Sequence, residues 1–359
     1  MSLDLEKEFP NTRFHNLADA YSEFIPFTVN SNYPVHRWYR FKEGYSRDLV
    51  HLLLGSFGRN AQACLDPFGG SGTTALACQE IGLKCFSFEV NPFMYSIALA
   101  KLETGYKVGK FDKELDQLKR EIRRVGKKDF PIPVMSTITK RPESKKWLFS
   151  TQSLQAILAL RFCINKSSSL FAPLFSTVLA SILPDIGNTI KDGKCVRYKR
   201  NWKKLRFSRQ QIYNKFYEKC KFVRQDIIYL EKQSDFSNKQ YLRLGSSLNE
   251  LVKLKAKSID IVITSPPYLN SFDYTDVYMP ELWSLGFVKK YEDVRALRTQ
   301  TLRSHVQVKW QSDTQPLNGK VKPLIDQIVG GNKKIWNSTI PNMITGYFSD
   351  MTKILKELD

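Results

Sequence analysis

Two short segments of the 359-residue chain carry residue types that could do chemistry together. The first is Thr264-Ser265-Pro266-Pro267-Tyr268, directly after the strand-like run 260–264. Two prolines at a strand end stop the ladder and fix the backbone, because neither has an N–H to donate, while their carbonyls are left to accept. That suits one chemical problem. The exocyclic amine of cytosine or adenine is conjugated with its ring and is a poor nucleophile. Accepting hydrogen bonds from its two N–H groups pulls the nitrogen toward tetrahedral geometry and frees a lone pair. The Ser265 hydroxyl and the Pro266 carbonyl are the candidate acceptors, and Tyr268 could stack on a base flipped out of the duplex. An activated methyl donor then needs only in-line positioning, with no metal and no covalent enzyme intermediate. Alone, the segment reads equally well as a proline turn with a packed tyrosine.

The second segment, Asp66-Pro67-Phe68-Gly69-Gly70-Ser71-Gly72-Thr73-Thr74, lies between an apparent strand, 63–65, and a helix, 73–82. Glycines there let the backbone pass close to a ligand. The loop lacks the third glycine of a dinucleotide fingerprint and the Gly-Lys-Ser/Thr of a P-loop, so neither a dinucleotide nor a triphosphate is favoured. Glu89 ends the next strand, 85–90, and stands 20 residues after Gly69. An acid there can accept hydrogen bonds from both ribose hydroxyls of a nucleoside. An uncharged nucleoside carrying an amino-acid tail, S-adenosylmethionine, fits these features. Gly69, Thr73, Asn91 and Ser246 complete the candidate cofactor-binding set.

Together the two segments resemble the cofactor and catalytic motifs of the prokaryotic cytosine-N4/adenine-N6 DNA methyltransferases. The resemblance places the family's cofactor residues on Asp66, Phe68, Gly70 and Gly72, its ribose ligand on Glu89, and its catalytic tetrapeptide on Ser265, Pro266, Pro267 and Tyr268. Serine at the first of these positions is typical of cytosine-N4 enzymes, and aspartate of most adenine-N6 enzymes. Residues 41–46, Phe-Lys-Glu-Gly-Tyr-Ser, resemble the stretch that closes over the methionine end of the cofactor. The likeness covers residues 33–105 and 239–288, about half the chain. It departs from the family in three places. Ser246 stands where many members carry an aspartate that touches the adenine ring. The stretch 106–238 separates the cofactor half from the catalytic half. Only four strands are legible where the family's sheet has seven. A truncated or split chain, completed by a second polypeptide, is favoured over an incomplete reading of the strands.

The formal net charge of +20 favours a polyanionic partner. Residues 191–206 are densely basic. There Lys199, Arg200, Lys203 and Lys204, with Tyr198 and Trp202 interleaved, could track a phosphate backbone and stack bases; a solvated basic face is the plainer reading. The six cysteines form no C-x-x-C pair and have no histidine at zinc spacing, so buried free thiols in a reducing compartment are expected. No signal peptide opens the chain and no apolar run reaches the length of a membrane span, so a cytoplasmic protein without a membrane partner is expected.

These features predict an α/β fold: a Rossmann-like, partly parallel methyltransferase sheet, incomplete at its C-terminal side, with a helical insertion. Residues 1–60 would close over the cofactor, with a helix capped by Ser46 and ended by Gly55 and Gly58. Residues 61–105 and 239–359 would form the methyltransferase core. Residues 106–238, the basic insertion, would serve target recognition or only support the fold. Strands are expected at 241–244 and 260–264, the latter fully apolar and buried. A helix near 279–285, a polar stretch and a last helix near 347–358 should follow. Asn270, Phe272, Asp273 and Tyr274 either line the base pocket or pack the loop; Asp273 as a general base is unnecessary. His36, His51 and His305 are isolated, and core or surface roles are expected of them.

The expected function is transfer of a methyl group from S-adenosylmethionine to cytosine N4 in a specific sequence of double-stranded DNA, as in a restriction–modification or related defence system. Adenine N6 is the alternative within the class, RNA a weaker one. A non-catalytic DNA- or cofactor-binding subunit of a split enzyme is the alternative of another class.

Overall fold

Strands of four to six residues joined by helices can pair in parallel only through crossovers, and the chain is built that way. The computed structural model describes residues 21–191, 196–233, 240–310, 322–323, 326–327 and 336–359. Helix α1 (Arg47–Phe57) is capped by Ser46, whose side chain accepts from the Leu49 N–H at 3.1 Å. It runs through Gly55 and ends at Gly58, so only the second glycine stops it. Nothing lies near where a Gly55 side chain would be, and an exposed glycine in a last turn costs a helix only about 1 kcal/mol.

Then come β1 (Ala63–Asp66), α2 (Thr73–Glu80), β2 (Lys84–Glu89) and α3 (Pro92–Leu102). The helical stretch comprises α4 (Val108–Val125), α5 (Thr151–Ile164), α6 (Ala172–Ile186), the antiparallel hairpin β3 (Thr189–Lys191) and β4 (Val196–Tyr198), and α7 (Arg209–Leu230). Ser208 and Gln211 form a capping box at the start of α7, which fixes its first turn. The chain returns to the sheet with β5 (Tyr241–Leu244), the short helix α8 (Ser247–Glu250) and β6 (Ile261–Val262). Helices α9 (Tyr274–Val277), α10 (Met279–Ser284), α11 (Tyr291–Gln300) and α12 (Ile340–Leu358) follow.

The sheet order is β5-β2-β1-β6, and every pairing in it is parallel. Alternation along the strands divides the core. Cys64 and Cys85, directly paired across β1 and β2, point toward Val50 and Leu54 of α1 and Ala75 and Cys78 of α2. Leu65, Phe86 and Phe88 point to the other face, under Leu251, Leu302 and Ile354 of α12. The thiols of Cys64, Cys78 and Cys85 meet in this core, and Cys163 and Cys220 are likewise buried and free; Cys195 lies outside the described residues.

Residues 260–264 are not the buried strand that their apolar run suggests. Only Ile261 and Val262 form β6, at the sheet edge, and Val262 is 36% exposed. A strand with one neighbour buries one flank, whatever its composition. The polar stretch after residue 286 likewise contains a helix, α11, anchored by Val294 and Leu297. The helices α4 to α7 share one apolar core with Trp38, Phe93, Tyr278 and Trp283. Asp226 of α7 ties that core to the N-terminal segment. It accepts from the Val35 N–H (3.0 Å), the Trp38 indole (2.9 Å) and Arg37. No described helix is long and apolar enough to cross a membrane.

Candidate functional site

The glycine loop leaves β1 at the C-terminal end of the sheet, the usual ligand position in open α/β sheets. The Gly69 N–H bonds the Phe88 carbonyl of β2 at 2.8 Å. This holds the loop so close that a Cβ on Gly69 would meet the Ser87 hydroxyl at 2.0 Å. Gly70 has φ +51°, and a Cβ there would meet the Phe41 ring at 2.8 Å. Gly72, also at positive φ, starts α2. The loop thus bounds a cavity that Phe41, Glu43 and Tyr45 of the N-terminal segment close from the other side.

Two acids anchor the cavity. Asp66 accepts from the Phe68 N–H (3.1 Å), the Tyr45 hydroxyl (3.1 Å) and the Thr264 hydroxyl (2.8 Å), so one carboxylate joins the loop, the N-terminal segment and the end of β6. Burial pushes it up to about 6 despite those donors. Glu89 accepts from the Gly70 N–H and the Asn91 N–H, both at 2.7 Å, and burial pushes it up to about 7. Asn91 in turn caps α3 by accepting from the Phe93 N–H at 3.0 Å.

Of the predicted cofactor residues, Asp66, Phe68, Gly69, Gly70, Thr73, Glu89, Asn91 and Ser246 all line the cavity, and Gly72 is outside the lining, against Ala98 of α3. Ser265 and Pro267 line the same cavity. The predicted pair of free proline carbonyls is reduced to one. Tyr347 of α12 donates its hydroxyl to the Pro267 carbonyl at 2.9 Å, whereas the Pro266 carbonyl accepts no hydrogen bond among the described residues. Tyr268 is 62% exposed and outside the lining.

Asp273 and Tyr274 line the cavity, but Asp273 is not poised as a base. It accepts from Arg298 Nε at 2.7 Å and from the Thr275 N–H at 2.8 Å. Asn270 and Phe272 bond one another across the turn and lie outside the lining. The wall opposite the glycine loop was not anticipated. It comprises Leu297 and Gln300 of α11 and Thr301, Leu302, Ser304 and His305 after it. The local signal was Glu292 and Asp293 in a first turn followed by Val294 and Leu297, a helix start with only two apolar positions. His36 is wholly buried beside Glu80, a core residue, whereas His305 is buried in the cavity wall and touches the Thr301 hydroxyl at 3.1 Å. His51 is half-buried at Glu80 on the other side.

The basic stretch divides. The Lys199 ammonium donates to the Pro184 carbonyl at 2.5 Å, at the end of α6. Arg200 and Lys204 are exposed, and Lys203 lies over the Trp202 ring at 5.7 Å. Trp202 meets Trp147 edge-on and Tyr198 at a tilt, so the interleaved aromatic residues pack on one another. Lys194 lies outside the described residues.

A parallel sheet, a glycine loop and a nucleoside-sized set of acceptors at the strand ends define a Rossmann-like methyltransferase fold. Residues 13–100 match the model of a DNA methylase family. Over 373 residues the chain is 26% identical to the Type II methyltransferase M.AvaI of Nostoc sp., covering 93% of this chain and 73% of that protein. It is 28% identical over 386 residues to the Type II methyltransferase M.BsoBI of Geobacillus stearothermophilus, covering 94% and 73%. A 55-residue stretch is 40% identical to the Type II methyltransferase M.HindIII of Haemophilus influenzae, covering 15% and 18%. No solved structure matches the chain. These matches make the chain similar to the N4/N6 DNA methyltransferases, a family whose methyl donor is S-adenosylmethionine.

Proposed function

We propose that this chain methylates the exocyclic N4 of cytosine within a specific sequence of double-stranded DNA, as the modification enzyme of a Type II restriction system. The observation that carries the reading is Ser265 in the wall of the cavity that also holds Glu89, at the C-terminal end of a parallel sheet.

The residues present fit the methyl donor. Glu89 offers a buried acceptor for ribose hydroxyls, and Phe41 and Phe68 offer apolar faces for a purine. The Glu43 Oε1 is buried in the lining without a partner, as an acceptor for the ammonium of an amino-acid tail. The donor supplies an electrophilic methyl on a sulfonium. The chain's own work is then to hold the amine. Ser265 Oγ and the Pro266 carbonyl accept its two N–H groups and localise the nitrogen lone pair toward the cofactor side. Tyr347 fixes the Pro267 peptide, and through it the turn that aims Ser265. Exposed Tyr268 is the surface on which an extruded base stacks. With Asp273 held by Arg298, the product proton leaves to water. Asp66, Gly69, Gly70, Gly72, Thr73, Asn91 and Ser246 shape the cofactor end. Arg200, Lys203 and Lys204 are assigned to backbone phosphates.

Cytosine over adenine rests on the serine at position 265. Treating duplex DNA with the protein and S-adenosylmethionine, then digesting to nucleosides, decides it. N4-methylcytosine is expected. N6-methyladenine overturns the base assignment alone. A chain that binds the cofactor and duplex DNA but yields neither product is instead a non-catalytic subunit.

A further inference from the structure

A second concavity lies in the helical region, where α4 ends and α5 and α7 begin. Its lining includes Lys119, Arg123, Lys127, Arg209, Tyr213 and Tyr217, and the one acid in that lining is Asp129. Arg209 is paired with Asp129 at 2.8 Å and also bonds the Gly126 and Lys128 carbonyls, which fixes this corner of the groove. Lys119 makes an exposed pair with Asp116, and its ammonium lies 6.0 Å from the Tyr217 ring. Arg123 bonds only a carbonyl of its own helix, and Lys127 is exposed. Arg123 and Lys127 therefore remain for a ligand, and Lys119 beside them is tied only by its exposed pair with Asp116.

Two long helices open into the same groove. Thr151 and Gln152 at the start of α5, and Ser208 and Gln210 at the start of α7, belong to its lining. Helix N-termini present partly positive, unpaired N–H groups, which favour an anion. A separate observation points to a hydrogen-bond acceptor. Tyr213, 8% exposed and one turn inside α7, has its hydroxyl buried with no hydrogen-bond partner among the described residues. A buried donor left unpaired is costly, and a phosphate oxygen would satisfy it. The groove is open and its aromatic and cationic groups follow one another along α4 and α7, as a polymer backbone requires. By contrast, Lys199 in the basic stretch is spent on the end of α6.

Resting on the DNA reading above, we propose that this groove holds the sugar–phosphate backbone of the duplex substrate. Lys119, Arg123 and Lys127 each face a phosphate, and the Tyr213 hydroxyl donates to a phosphate oxygen. The test is binding of duplex DNA by the full chain between low and moderate salt, for the wild type, for Lys119→Gln/Arg123→Gln/Lys127→Gln, and for Tyr213→Phe. S-adenosylmethionine affinity serves as the folding control, since none of these residues lines the cofactor cavity. Each phosphate contact contributes about 0.9 to the log–log salt slope, so the triple variant should flatten it by about 2 to 3. Tyr213→Phe removes a neutral donor; it should weaken binding about threefold or more and leave the slope unchanged. A triple variant with wild-type slope and affinity overturns the groove assignment while the DNA reading stands. A wild-type chain that binds no duplex at any salt concentration sinks both. Wild-type affinity in Tyr213→Phe removes that donor from the site.

Discussion

Glu89 gives the sharpest test of the cofactor site. Its carboxyl, pushed up to about 7 by burial, is close to half protonated at neutral pH in the ligand-free protein. Ribose hydroxyls that donate to it favour the anion, so cofactor binding should release a proton. The sign follows directly. Above pH 7 the acceptor is already ionised, whereas below it ionisation must accompany binding. Linkage then weakens the affinity by about tenfold at most between pH 8 and pH 6. Glu89→Gln removes the titration and one acceptor, leaving one of the Gly70 and Asn91 N–H groups facing an amide NH2 that cannot accept. It should bind about 10- to 100-fold more weakly at pH 8, as loss of a charged hydrogen-bond acceptor implies, with the steep part of the pH dependence gone. Calorimetric titration of S-adenosylmethionine from pH 5.5 to 9 reads both effects, and the cofactor's own amine titrates alike in the two proteins. An affinity independent of pH in the wild type, or the same pH slope in Glu89→Gln, would refute the assignment of Glu89 to the ribose.

Three further outcomes follow from the structure. Ser265→Ala should lower methyl-transfer turnover by about 100-fold with cofactor affinity unchanged, the effect of losing one group aimed at the reacting centre; single-turnover assay checks it, and unaltered turnover counts against the catalytic assignment. Gly70→Ala places a Cβ against Phe41 at a φ of +51° and should cost about 1–2 kcal/mol in thermal or chemical melting while weakening cofactor binding. Lys101 is buried, its ammonium makes no hydrogen bond among the described residues, and desolvation lowers its pKa from 10.5 to about 7. The stability tied to the neutral amine is present above pH 10.5 and lost as pH falls through 7. Lys101→Met should therefore stabilise the fold by on the order of 2 kcal/mol at pH 7 and by less at pH 10, measured by denaturant melts.

What the sequence determined by itself was everything carried by local rules. The β1–loop–α2–β2 unit, the Ser46 cap and the position of Glu89 at a strand end all follow from periodicity, cap residues and turn residues within a few positions of one another. What only the tertiary structure decided depends on contacts between distant residues. Apolar content made 260–264 look central, yet burial of a strand is set by its neighbours, and β6 has one in the described sheet. The Pro267 carbonyl looked free until Tyr347, 80 residues on, took it. Asp66 looked like a loop acid, and the fold made it the hinge between Tyr45, the loop and Thr264, 198 residues away. The basic stretch looked like the DNA-facing surface because charge density is visible in sequence. Whether a lysine faces solvent or a helix end is not visible, and Lys199 faces the end of α6. The groove sets Lys119, Arg123 and Lys127, spaced four residues apart at the end of α4, beside Tyr213 and Tyr217 of α7, and only the packing of those two helices brought them together.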